Sequence, residues 1–312
     1  MGKFADEIGN AVREYMKDPV FLARMQYPAS GKIFWVKAAS STGYVDFVKE
    51  HPAYSDAVPA VYTTVTLGMA ALTDYDVLII TPGNYDEAAT LTLSSLKGVK
   101  IIGTNPGMSW GEGSSCIRDV TSSDDLLDIT GCQSLEIANI CFVNSTAKDA
   151  INFTGLNYGT HIHHCTFIGN CGGADMMDYG INVAGSNGPD TYIHHCKFDR
   201  CDVAAIDLGG SNQRTVIHDC FFVVADAAIG INIGSVITSS YIGIWDCNFL
   251  GAAGDNGDQG VDVPDNSLPG RIMVVNCNLA GCVMTGGGTD AEIDCVRNYA
   301  SSAAGGAIED PT

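Results

Sequence analysis

The residues best equipped for chemistry stand in one short run, HIHHCTF at 161–167, where three histidines and a cysteine fall within five positions. Imidazole nitrogen and thiolate sulfur are the usual ligands of zinc, so the run invites a metal reading. Carboxylates are the second resource: 36 acidic residues against 16 basic ones leave a formal charge of −20. Two carboxylates can share acid–base work when one is protonated and the other ionised. Either chemistry depends on the elements that carry these side chains.

Those elements repeat. HIHHCTF returns as YIHHCKF at 192–198, TVIHDCFF at 215–222, GIWDCNF at 243–249 and MVVNCNL at 273–279, with a less regular copy, IANICF, at 137–142. Cys165, Cys196, Cys220, Cys247 and Cys277 are in register, with Ile140 in the first copy, at spacings of 25, 31, 24, 27 and 30 residues. A second motif travels with the first: LLDITG at 126–131, AINFTG at 150–155, GINVAG at 180–185, AIDLGG at 205–210, GINIGS at 230–235 and GVDVPD at 260–265. Each copy alternates apolar and polar residues, the period of a short strand with its Asp or Asn facing out. Strand-rich repeats of this length, joined by Gly, Asn and Asp, predict an all-β solenoid whose coils stack about 4.8 Å apart.

Stacking places each repeat position above its counterpart. The five cysteines form one internal column, and Phe142, Phe167, Phe198, Phe222, Phe249 and Leu279 form another. The preceding isoleucines and the cysteines both point inward only if the chain bends between them. The residues at that bend are Asn139, His164, His195, Asp219, Asp246 and Asn276, of the types most tolerant of left-handed backbone. His163, His194 and His218 then form an outward column that continues as Trp245. A single zinc ion cannot collect His163 outside and Cys165 inside the coil wall, so the cluster reads as structural. The alternative is a surface metal site on stacked His163, His194 and His218.

The negative charge disfavours nucleic acid and anionic membranes as partners. The N-terminal MGKFADEIGNAVREYMKD mixes charged with apolar residues and reads as neither membrane span nor classical secretion signal. Phe4, Ile8, Val12 and Tyr15 share one face of an amphipathic helix ending near Pro19, and this helix belongs to no coil. It either packs on the solenoid end or serves as an assembly anchor. Twelve cysteines without a visible signal point to reduced thiols. The expected layout is an anchor at 1–30, a cap at 31–74, the β-helix at 75–300 and a Gly-rich tail at 301–312 that frays unless held.

The opening coil carries the most specific resemblance. DYDVLIITPGNYDEAATLTLSSLKGVKIIGTNPG at 74–107 is similar to the first turn of the right-handed parallel β-helix proteins of the pectin-lyase-like superfamily: a strand, Pro-Gly-x-Tyr, a further strand, then Ile-Gly. The resemblance covers roughly residues 75–300, and the segment 31–72 resembles the approach to such a solenoid, with a helix over its open end. The superfamily includes lyases, hydrolases, esterases, phage tailspikes and structural fibres, so fold alone leaves function open.

Enzymatic options each require particular residues. Arg118, Lys148, Lys197, Arg200, Arg214, Arg271 and Arg297 make no evident cluster for a lyase base, and the superfamily's Gly-His-Gly hydrolase signature is absent. The outward ladder runs Asp128, Asn152, Asn182, Asp207, Asn232 and Asp262. Its acids are separated by amides, and the catalytic candidates Asp207 and Asp262 lie two coils, about 9.6 Å, apart, near the upper end for an inverting pair. The ladder reads first as a solvated structural face. Sugar or calcium binding at Asp128, Asn152, Asn182 and Asn232, with Asp178 and Asp258 nearby, is the alternative, and no other cofactor is expected. Resemblance to phage proteins with an attachment element before a β-helix implies a non-enzymatic virion component, a capsid decoration or fibre. That reading expects a homotrimer, contact with a capsid protein and with surface polysaccharide, and a virion location. Its rivals are a tailspike-like or free polysaccharide-degrading enzyme, and a solitary β-helix that is cytoplasmic or secreted by a non-classical route.

Overall fold

A computed structural model describes residues 31–105, 113–119, 124–144, 147–169, 177–183, 190–209, 214–234, 241–251, 258–263, 271–280, 282–286 and 292–298. The N-terminal stretch carrying Phe4, Ile8, Val12 and Tyr15, and the tail 301–312, lie outside the described residues. The described residues form three parallel sheets of eleven, eight and eight strands. Successive coils give one strand to each, as His161–His163, Thr166–Ile168 and Tyr179–Asn182 do in one coil. The fold is a parallel β-solenoid, as the repeat spacing predicts, of the right-handed β-helix kind that the resemblance implies.

Register follows the columns read from sequence. In the first sheet Ile162 pairs with Ile137 on one side and Ile193 on the other. In the second, Phe167 pairs with Phe142 and Phe198, and the column continues through Phe222 and Phe249 to Leu279. The rings stack nearly parallel, with centroids 4.7 Å apart for Phe167–Phe198 and 5.0 Å for Phe198–Phe222. In-register pairing makes like side chains neighbours, and the stacked aromatic rings fill the space between coils.

The corner between the first two sheets is the most regular feature. Asn139, His164, His195, Asp219, Asp246 and Asn276 all adopt left-handed backbone, with φ between 52° and 58°. That one residue reverses the in–out alternation and turns the next side chain into the core. Cys165, Cys196, Cys220, Cys247 and Cys277 are therefore buried. Each thiol donates to a carbonyl one coil earlier, from Cys165 to Ile137 at 3.7 Å through Cys277 to Ile244 at 3.9 Å. The ten cysteines with described side chains, Cys201 and Cys282 among them, are free; Cys171 lies outside the described residues.

The open end is closed as its motif implies. Strand Ile33–Val36 pairs with Val77–Ile80, and Val61–Tyr62 pairs with Ile33–Val36, so residues 31–74 also extend the first sheet by two strands. Helix Val65–Ala70 lies over that end with Val65 and Met69 buried, and Thr64 caps it by accepting from the Leu67 N–H at 3.2 Å. Tyr85 of the PGNY motif, in strand Gly83–Glu87, is buried, its hydroxyl donating to the Val36 carbonyl at 3.1 Å. A Cβ at Gly103 would lie 1.9 Å from the Asn139 carbonyl oxygen, so this approach requires glycine. The motif thus serves packing.

Candidate functional site

The outward ladder of the third sheet forms as read: Asp128 pairs with Asn152, Asn152 with Asn182, Asn182 with Asp207, Asp207 with Asn232 and Asn232 with Asp262. Alternation puts Leu127 and Ile129 inside and Asp128 outside, and the same holds in each coil. Asp207 and Asp262 are two coils apart with Asn232 between them. Asn232 Nδ2 donates to Asp207 Oδ1 at 2.6 Å, so this candidate acid is occupied by its neighbour.

A second acid column, largely missed from sequence, stands just before these strands. Asp125 Oδ1 accepts from the Asp149 N–H at 3.1 Å, and Asp125 Oδ2 accepts from Asn152 Nδ2 at 2.8 Å. One coil on, Asp149 Oδ2 accepts from Asn182 Nδ2 at 2.7 Å. Each amide thus bridges diagonally to a carboxylate of the preceding coil. A signal existed: DLLD at 125–128 and DAIN at 149–152 both place Asp three residues before the outward position. Asp178 flanks this column, whereas Asp258 is fully buried and accepts from the Ala227 N–H at 3.0 Å.

Electrostatics make Asp149 unusual. It is only 6% exposed, and burial pushes its carboxyl up to about 7 against the opposing bond from Asn182, with Asp125 and Asp178 adding to the rise. Burial also raises Asp128, with Asp125 adding to it; Asp178, with Asp202 adding; and Asp207, where Asn232 opposes the rise. Asp128 Oδ1 is enclosed and meets no donor among the described residues. The face is a crowded set of carboxyls that holds protons more tightly than free acids. Elsewhere cations are spent on local acids: Arg118 on Asp86, Lys197 and Arg200 on Asp199, and Arg214 on Asp190.

The histidines lie on the first sheet. His163, His194 and His218 stack outward with centroids 5.0 and 4.9 Å apart, and Trp245 follows at 6.0 Å. A Cβ at Gly243 would strike the Trp245 ring at 2.2 Å, so glycine clears its seat. Burial and the four surrounding histidines hold His194 down to about 4. Cys165 faces inward, as expected. The corner histidines do something the sequence did not show: they turn back toward the outward column. His164 stacks on His195 at 4.8 Å, and Nδ1 of His164 lies 3.0 Å from Nδ1 of His163.

No protein-family model and no curated protein sequence matches the chain. Among solved structures, the pectin methylesterase of Aspergillus niger overlaps at a TM-score of 0.59 and 16% identity, covering 88% of this chain and 87% of its own. A pectin methylesterase variant in complex with a hexasaccharide overlaps at 0.53 and 11% identity, covering 89% and 91%. A chain of Geobacillus virus E2 is more distant, at 0.36 and 11% identity. The architecture shared with the two esterase structures is the parallel β-helix.

Proposed function

We propose, on the premise of a pectin-lyase-like β-helix, that this protein is a non-enzymatic structural component of a phage virion surface, a capsid decoration or fibre. The observation that carries the non-enzymatic part is the amide bridging between coils: Asn152 and Asn182 bond diagonally to Asp125 and Asp149, and Asn232 bonds straight across to Asp207, each carboxylate one coil back. The ladder spends these amide donors on its own carboxylates, which suits a stiff wall better than a reaction centre. Sequence supplies the support for assembly, through the amphipathic face of Phe4, Ile8, Val12 and Tyr15. In this reading the face meets a capsid protein or its own copies in a trimer, and the acidic flank meets host polysaccharide.

Two experiments test this. Light scattering on the full chain is expected to give a trimer that falls to monomer in an Ile8→Asp, Val12→Asp variant. A monomeric parent chain would remove the assembly claim. Incubation with host-envelope polysaccharide is expected to give retention without cleavage. Product oligosaccharides that vanish in Asp207→Asn or Asp149→Asn would sink the non-enzymatic reading.

One observation favours the rival, a polysaccharide-degrading enzyme. Asp149, at about 7 beside Asp125, has the protonation poise of a general acid at neutral pH. The cleavage assay decides between the two.

A further inference from the structure

The left-handed corner creates three consecutive two-residue pairs on the outer wall. His163 and His164 face each other with Nδ1 atoms 3.0 Å apart, His194 and His195 at 2.9 Å, and His218 Nδ1 meets Asp219 Oδ2 at 2.7 Å. Ring stacking between coils, His194 on His218 and His164 on His195, aligns the pairs one above another. Donor atoms of His195, His218 and Asp219 all lie within 4.8 Å of one another.

We infer that His195, His218 and Asp219 form a binding site for a divalent transition ion of the zinc class, two imidazole nitrogens and one carboxylate oxygen on the outer wall. Ligands on one such ion, about 2.0–2.2 Å from it and subtending about 90° to 109°, stand roughly 2.9–3.5 Å apart. The 2.7 Å His218–Asp219 pair already approaches that bite, and small rotations of exposed side chains bring His195 in. Three protein ligands leave one position of a tetrahedron for water.

The donor set suits the ion chemically. Imidazole favours zinc, copper and nickel, and the carboxylate adds the negative charge that the all-histidine pairs lack. Cys220, next in sequence, is excluded as a ligand because it points into the core and burial pushes its thiol far up. His163 is the poorer centre, because its Nε2 already engages Glu136 Oε1 at 3.2 Å, and Oε2 of the same carboxylate is paired with Lys100 Nζ at 2.7 Å. The ion would take the place of the hydrogen bond between His218 Nδ1 and Asp219 Oδ2. This site is independent of whether the chain is a virion protein or an enzyme.

The test is titration of Zn2+ into the full chain against a chromophoric chelator, with Co2+ absorption as a coordination signature. One equivalent is expected, with tetrahedral-type Co2+ bands. His218→Ala and Asp219→Asn are each expected to weaken binding by at least about tenfold. His163→Ala, one coil before His195 and two before His218, is expected to leave it unchanged. Asp219→Asn keeps a residue that tolerates the corner backbone, so it reads ligation even if another variant misfolds. Affinity unaltered in Asp219→Asn and His218→Ala, or lost equally in His163→Ala, overturns the assignment, as does an absence of binding in the parent chain.

Discussion

The Asp149→Asn variant is expected to be more stable than the parent at pH 8, by about 2–4 kcal/mol, and close to it at pH 4. The folded carboxyl holds its proton up to about 7, well above the ordinary aspartate value near 3.9. A group whose folded pKa is raised stabilises fully below its unfolded value, and that stability drains away as pH climbs through the folded value. The parent therefore loses up to roughly 4 kcal/mol between about pH 4 and pH 8 through this one side chain, at about 1.4 kcal/mol per unit. An asparagine at 149 still offers Asn182 an amide oxygen but carries no charge to desolvate. Urea midpoints of both proteins at pH 4, 6 and 8 check this. Parallel curves would show that Asp149 is ionised in the fold at neutral pH, and would also remove the case for a general acid there.

Truncating Phe198 to alanine is expected to cost about 3–5 kcal/mol, through lost transfer energy plus the cavity left between two rings. The site cannot collapse easily. Phe167 and Phe222 are held by their own strand pairings, and both flank Phe198 within 5.0 Å at angles of 3° and 4°. Phe198→Leu keeps most of the volume and should cost markedly less. Because solenoid stability depends on interfaces between neighbouring coils, loss at a central coil should also separate the melting of the two ends. A drop below about 1 kcal/mol for Phe198→Ala would mean that the ring column is not the main adhesive between coils.

The core was legible because parallel, in-register stacking makes sequence period and spatial neighbourhood the same thing. Cys165, Phe167 and Ile162 could be assigned inward from alternation plus one bend, and the bend from the Asn, Asp and His at one position. The outward ladder of Asp128 to Asp262 followed the same logic. What sequence did not show was direction at the bend itself. His164 and His195 were separated from the outward histidines, yet left-handed backbone rotates their rings back against His163 and His194. Nor did alternation reveal Asp149, because it lies before its strand, where burial depends on how the loop enters the coil. The two strands at Ile33–Val36 and Val61–Tyr62 were hidden for a related reason, since they precede the repeat and share no column motif with it.

The corner column has a consequence for how such a molecule changes size. Each bend residue starts an equivalent unit, with thiol, ring and ladder positions all in phase with the next. Removing the 24 residues from one bend to another, His195 to Asp219, would bring Trp245 against His194 and Phe222 against Phe167, pairings of the same kind as those lost. The length of the rod is therefore a counted quantity, set by how many units the gene carries, and it can be shortened or extended by whole numbers without redesigning the interior.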